Sequence, residues 1–207
     1  MSVDHIKDHT KPDTETVTLR RATLADAPAL AIVAGATFLE AFTWMLPGPD
    51  ILSFIAQHHT AAAYAAYLAK PDTRITLAIT GSPSVFPGHP GAPVGYAMLA
   101  HPDLPSLTTH PTDIELKRIY LFSRFRNVPV LDAHGNTLPH LRPAQALMDA
   151  AIADARSLGR TRLLLGTHAS NQRAIAFYRR NGFTEAGTRT FQVGDQTCFD
   201  LIFAKAL

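Results

Sequence analysis

The sequence predicts an α/β fold built on one mixed sheet with helices on both of its faces. Three observations predict it. Short β-rich runs alternate with helical stretches along the chain instead of being grouped, in the order β-α-α-β-β-β-α-β-α-β-β. The run RLLLG (162–166) has the wholly apolar centre of a buried parallel strand, whereas VTLRR (17–21) alternates like a half-buried one. Neither an internal repeat nor a linker divides the chain, so residues 17–207 are expected to form a single domain with an enlarged loop at 123–142.

The first sixteen residues, MSVDHIKDHTKPDTET, mix both charge signs without an apolar stretch. They read as a flexible tail, not as a signal or transit peptide. After the first strand, Asp26 and Pro28 are start signals for a helix to about Phe38, and a second helical region covers about 50–69. ITLAIT (75–80) and VGYAMLA (94–100) are partner strands joined by GSPSVFPGHPGAP (81–93), whose Gly and Pro content demands a loop. IELKRIYLF (114–122) alternates over much of its length as a central strand. Residues 123–142 show no clear periodic element, and PAQALMDAAIADARSLG (143–159) is a strong helix closed by Gly159. TRTFQV and TCFDLIFAKAL flank Gly194-Asp195 as an antiparallel hairpin.

Composition narrows the function. Of 207 residues 46% are apolar and 17% charged, and the net charge of +2 supplies no field to recruit nucleic acid or an anionic membrane. No apolar run approaches the length of a membrane span, and the expected location is cytoplasmic. Cys198 is the only cysteine, which excludes an intrachain disulfide and a multi-cysteine zinc site; it reads as a buried structural thiol. The one i, i+4 histidine pair, His5 and His9, falls in the tail, so no metal site is expected in the folded domain.

The segment GTHASNQRAIAFYRRNGF (166–183) poses a chemical question. Ser170 reads as an N-cap, Gly182 as the left-handed residue that ends the helix, and Ala174, Ile175 and Phe177 as its apolar stripe. Asn171 and Tyr178 are left over. They lie on nearly one face, roughly 10 Å apart along the axis, a spacing that suits two ends of an extended ligand.

Strand, loop, long helix, short apolar strand, then a helix opening with Asn and carrying Tyr resembles the GNAT superfamily of acyl-CoA-dependent N-acetyltransferases. The segments TFLEAF (37–42), ELKRIYL (115–121), NQRAIAFYRRNGF (171–183) and GDQTCFDLIFAKAL (194–207) are similar to the PaiA-like branch, which acetylates polyamines such as spermidine and spermine. The resemblance implies a GNAT fold, with a mixed, mostly antiparallel sheet splayed at its centre. It implies acetyl-CoA as donor and a small amine, such as a polyamine, or a protein amino group as acceptor. The main chain of Ile119, Tyr120 and Leu121 would pair with the pantetheine arm, and N–H groups around Tyr120 and Leu121 would face the developing oxyanion. Asn171 and Ala174 would contact the cofactor, and Tyr178 would act as general acid.

A base is needed because a free alkyl ammonium, with a pKa near ~10.4, cannot attack. Glu115, at the start of the central strand, and Glu40 are the candidates; either reads equally as a structural carboxylate. His101, His110 and His168 lie near strand ends and read first as surface groups. Trp44-Met45 could wall an acceptor pocket or pack beneath the first helices. A polyamine would want Glu40, Asp50, Asp113 and Glu115 to converge.

The sequence departs from the family in the phosphate-binding loop, Gln/Arg-x-x-Gly-x-Gly/Ala, whose place is taken by RFRNVPVLDAHGNTLPHLRPAQALM. Arg126 takes the leading position and Ala144 the last small one, while Arg142 stands where a glycine belongs. Pro129 and Pro143 each remove an N–H donor. Arg126 and Arg142 would then supply charge to the phosphates, and Pro143 would start a helix. The alternative is a catalytically inactive GNAT-like binding module that has lost the cofactor. Exposed strand surface is compatible with a homodimer.

Overall fold

The computed structural model describes residues 15–81 and 91–207. Nearly all of the expected tail, including His5 and His9, and most of the 81–93 loop lie outside the described residues. The strands are β1 (Thr16–Arg21), β2 (Arg74–Gly81), β3 (Pro93–Ala100), β4 (Asp113–Leu121), β5 (Val130–Leu131), β6 (Thr137–Leu138), β7 (Arg162–His168), β8 (Thr184–Val193) and β9 (Gln196–Ala206). They form one sheet in the order β6-β5-β1-β2-β3-β4-β7-β9-β8. All neighbours are antiparallel except β1–β5 and β4–β7.

The helices are α1 (Ala27–Phe42), α2 (Gly48–His58), α3 (Ala61–Leu68), α4 (Pro143–Ser157) and α5 (Gln172–Arg180). One face of the sheet is covered by α1 and α3, where Leu30, Val33 and Tyr64 pack on Ile75, Leu77 and Met98. The other is covered by α4 and α5, where Leu147, Met148 and Ile175 pack on Ala97, Leu99 and Leu163. Each such fully buried Leu, Ile or Met contributes about 1.5–3 kcal/mol relative to exposure.

Two details of β4 position the site. Its parallel pairing with β7 covers Asp113↔Arg162, Ile114↔Leu163 and Glu115↔Leu164 and then stops, so Leu116–Leu121 part from Leu165–His168. Along the β3 side the partners step from Met98↔Arg118 to Leu99↔Leu116, which leaves Lys117 without a partner as a β-bulge. The extra residue explains a break in alternation: Ile114 and Leu116, then Ile119 and Leu121, all face the same core. It also bends β4 away from β7. Opposite Leu121, near the end of β4, Gly95 has no room for a side chain, since a Cβ there would meet the Tyr120 carbonyl oxygen at 2.6 Å.

Several expectations are corrected. The helical region at 50–69 is two helices, because Thr60 adopts an extended conformation and its hydroxyl accepts the Ala63 N–H, starting α3 anew. Helix α1 runs on to Phe42. Together with the preceding turn it forms a 19-residue segment, Leu24–Phe42, that is long and apolar enough to cross a membrane by composition, contrary to the sequence expectation. Here that apolarity is used in the core, where Leu30, Val33, Ala34 and Phe38 are buried. The 123–142 segment is not featureless either. It forms a small hairpin, β5–β6, turning at Asp132–Gly135, where Asp132 Oδ1 accepts the N–H groups of His134 and Asn136 at 2.8 Å and Gly135 takes a φ of 81°. Val130, 2% exposed, docks the hairpin in parallel on β1 at the far edge of the sheet.

Candidate active site

A cavity of about 820 Å³ opens where β4 and β7 part. The bond from the Phe122 N–H to the Val94 carbonyl fixes the phase of the β3–β4 ladder. By alternation, the main-chain groups of Tyr120 point towards β3, and those of Ile119 and Leu121 point across the gap. Tyr120 is therefore not the main-chain donor to the cleft that the resemblance implies. Its ring lines the cavity instead, within 6.5 Å of Phe38, Phe42 and Tyr96.

One end of the cleft, beyond the C-terminus of β4, is basic. Arg126, Arg142, Arg173 and Arg180 line it together with Ala144 and Ala174. Burial and the nearby charge of Arg173 both lower the pKa of Arg126, the response of a cation crowded by another. Arg142 is the extended N-cap of α4, and its guanidinium donates to the Asn127 carbonyl at 3.2 Å. Pro143 sits in the first helical turn, where no intrahelical N–H bond is lost, and the following N–H groups of Ala144 and Gln145 lack i−4 partners. The rebuilt segment does not plug this end: Arg126 and Asn127 line it, and the hairpin then departs to the edge of β1. Arg173 and Arg180 were missed from sequence. Their signal was their spacing, since seven residues, almost two turns, put both on nearly one face of α5.

Helix α5 is capped differently from expectation. Asn171, not Ser170, is its N-cap, and Asn171 Oδ1 accepts the Ala174 N–H at 3.2 Å. Ordinary helix chemistry thus accounts for the carbonyl half of this side chain, and the residue also lines the cavity. Gly182 follows with φ 81°, as expected of a left-handed terminator. Tyr178 lines the cavity at 8% exposure, and no described residue is hydrogen-bonded to its hydroxyl. Burial raises its pKa far above that of a free phenol, so it keeps its proton across the neutral range.

The other end of the cleft is aromatic. Phe38, Phe54 and Phe191 wall it, with Phe54 stacked on Phe38 at 4.7 Å and edge-on to Phe191 at 5.6 Å. Glu115, 1% exposed, lies here; its Oε2 accepts the Asp103 N–H at 2.9 Å and stands 3.6 Å from Lys117 Nζ. Arg189 lies 3.9 Å from Glu115 and 3.0 Å from Asp200. Beneath the rings, the Tyr64 hydroxyl is hydrogen-bonded to His59 Nδ1 and to the Tyr96 hydroxyl, both at 2.9 Å, and accepts from Arg118 Nη1 at 3.2 Å.

The remaining candidates separate. Glu40 lines the cavity, but its carboxylate accepts the Ser123 N–H at 3.0 Å and the Ser123 hydroxyl at 2.7 Å, holding the turn after β4. Asp113 pairs with Arg162 at 2.6 Å outside the cleft; burial opposes its ionisation, but the bonds from Arg162 and the His110 N–H win and lower its pKa. Asp50 accepts the Asp195 N–H, also elsewhere, so the four acids do not converge. His168 ends β7 and lines the cavity, its Nδ1 accepting the Ser170 N–H at 3.1 Å; His101 and His110 do not line it. Trp44 is 61% exposed and neither walls the pocket nor packs beneath the helices. Cys198 is buried, and burial raises its pKa.

Residues 144–183 match the model of the acetyltransferase (GNAT) family. Proteins of Mycobacterium tuberculosis and Mycobacterium bovis described as uncharacterized N-acetyltransferases are 33% identical over 184 residues, which is 89% of this chain and 99% of theirs. Among solved structures, the PaiA N-acetyltransferase of Thermoplasma acidophilum in complex with coenzyme A superposes with a TM-score of 0.65 at 18% identity, over 92% of this chain and 99% of that one. The ribosomal-protein-alanine N-acetyltransferase of Brucella melitensis superposes with a TM-score of 0.60 at 22% identity, over 91% and 99%.

Proposed function

The chain belongs to the GNAT family of N-acetyltransferases, and we propose that its cleft moves an acetyl group from acetyl-CoA to a primary amine by direct attack. The observation that carries this reading is the open edge of β4, with Ile119 and Leu121 presenting main-chain groups across the gap and Tyr178 lining the same cavity.

The residues present fit acetyl-CoA. Arg126, Arg142 and Arg173 offer guanidinium forks and the start of α4 offers free N–H groups to phosphates. The parted strand offers a ladder edge for amides, and the Asn171 NH₂ offers a further donor. Acetyl-CoA supplies the activated acyl thioester. Around it, the Ile119 and Leu121 N–H groups are donors for charge that develops on a carbonyl oxygen, a term worth about 3–4 kcal/mol per donor in comparable sites. Tyr178 holds its proton at Oη for the sulfur that leaves as thiol. Glu115 accepts the ammonium proton through water, and Glu40 is a positioning residue for the turn carrying Arg126. Orientation of both substrates in one cleft supplies much of the remaining rate.

The coarse reading, a small-molecule or protein amine as acceptor, is supported by the cavity; a polyamine is not favoured. The wall carries four carboxylates against seven Lys and Arg residues, and three of those carboxylates are already paired with Lys117 or Arg189.

Calorimetry with acetyl-CoA followed by a thiol-release assay over an amine panel tests the proposal. Micromolar binding and amine-dependent thiol release are expected. No binding at millimolar acetyl-CoA would sink it in favour of a non-catalytic binding module.

A further inference from the structure

We infer that the acceptor amine carries a carboxylate on an apolar body, and that Arg118 receives that carboxylate on the floor of the aromatic end of the cleft. The inference rests on the acetyltransfer reading above and narrows its substrate class.

The charges of the aromatic end carry the argument. Lys117 is matched by Asp103 at 3.2 Å and Glu115 at 3.6 Å, and Arg189 by Asp200 and Glu115. Arg118 lines the same cavity, yet no carboxylate of a described residue lies within 4 Å of it. Its neighbours are the Tyr64 hydroxyl, one bond at 3.2 Å, and the rings of Tyr64 and Tyr67, 5.4 and 5.6 Å from the guanidinium carbon. Those contacts hold a cation without neutralising it. Nor do the adjacent histidines share the charge in either direction. Burial first, and then Arg118 itself, push His58 down and His59 to about 3, so both rings are neutral near pH 7.

A guanidinium largely withdrawn from water and left without an anion is costly, and it is a strong attractor for one that enters. One N–H is committed to Tyr64, which leaves the rest of the fork for a carboxylate. A polyamine would bring more positive charge to this point, which like-charge repulsion opposes. The walls of Phe38, Phe54 and Phe191 suit an apolar or aromatic body between the amine and the anion.

Binding and turnover are measured on the full chain saturated with coenzyme A or acetyl-CoA respectively. Calorimetry compares N-acetyl-L-phenylalanine with its carboxamide, which differ only in the anion; thiol release compares L-phenylalanine, L-phenylalaninamide, phenethylamine and spermidine. The acid is expected to bind at least about tenfold tighter than the amide, a ratio typical of one charge-assisted bond, and to be the best acceptor. Arg118→Met, which keeps the apolar stem, collapses the acid-to-amide ratio to about one, and Arg118→Lys recovers part of it. A wild-type ratio near one, failure of both ligands to bind, or an Arg118→Met variant that weakens acid and amide equally would overturn the inference. The wild-type comparison decides the matter even where the variant fails to fold. Selective binding of the acid without any thiol release would instead retain the anion site and remove the acetyltransfer reading. Thiol release that favours spermidine or the amide would do the reverse.

Discussion

The two ends of the cleft offer different means of recognising a ligand. At the basic end, much of the recognition is main chain: the unpaired edge of Ile119 and Leu121, the start of α4, and the N-cap of α5. Arg126 feels the charge of Glu40, and Glu40 is already engaged by Ser123. At the aromatic end, the main chain is covered and recognition falls to side chains, with Lys117 and Arg189 neutralised and Arg118 left over. A ligand shared across a family can be held by features that the fold itself creates. An acceptor that differs between members has to be read by side chains that substitution can change.

The largest expected effect lies where the two ends meet. Tyr178→Phe should lower kcat by about 10²–10⁴-fold, the usual contribution of a positioned proton donor, while acetyl-CoA affinity measured by calorimetry stays within about twofold. Wild-type turnover in this variant would remove the proton role and leave only the walls of the comparison.

The aromatic end also carries a pH signature. His59 titrates at about 3 in the folded chain against an ordinary 6.5, because burial and Arg118 disfavour its cation. The unfolded chain therefore binds the extra proton first as pH falls. The stability due to neutral His59 is complete above about 6.5 and is lost progressively towards about 3, at roughly 1.4 kcal/mol per pH unit at its steepest. Thermal melts between pH 7 and 4 should show this slope, and His59→Phe should flatten it. An unchanged slope would mean that other groups dominate.

At the basic end, Arg126→Ala should weaken acetyl-CoA about tenfold, with the loss shrinking as salt rises. Equal affinity at low salt would shift the phosphate role to Arg142 and Arg173. The smallest effect concerns the edge hairpin: Asp132→Ala should cost about 1 kcal/mol through the lost turn bonds and leave acetyl-CoA affinity unchanged. A parallel fall in affinity would tie the hairpin to the phosphate end and blur the contrast between the two regions.

Most of the sheet was legible because each strand declares its face by alternation or by an unbroken apolar run. The parting of β4 from β7 was legible only through family resemblance, since strand sequences do not record where pairing stops. The β5–β6 hairpin escaped notice because two-residue strands leave no period to detect, although Asp132, Gly135 and Asn136 are turn residues. Asn171 was singled out because helix chemistry left it over, whereas it is the N-cap itself; the sequence hid this because Ser170 beside it is an equally good cap on paper. Arg118 was hidden for another reason. A cation's significance depends on which carboxylates reach it, and that is decided by contacts between distant segments such as Asp103, Glu115 and Arg189.

The extra residue in β4 separates two properties that usually travel together. Remove Lys117 and the run becomes Ile-Glu-Leu-Arg-Ile-Tyr-Leu, a strand of perfect alternation in which Ile114, Leu116, Ile119 and Leu121 still face the same core. Nothing in that core would object, and the straightened strand would be free to close its remaining amides against β7. Such a deletion would leave no gap in which to seat a thioester, and it would also take from the buried Glu115 carboxylate its ion partner at 3.6 Å. One residue at position 117 thus sets both the width of the gap and the charge balance beside it.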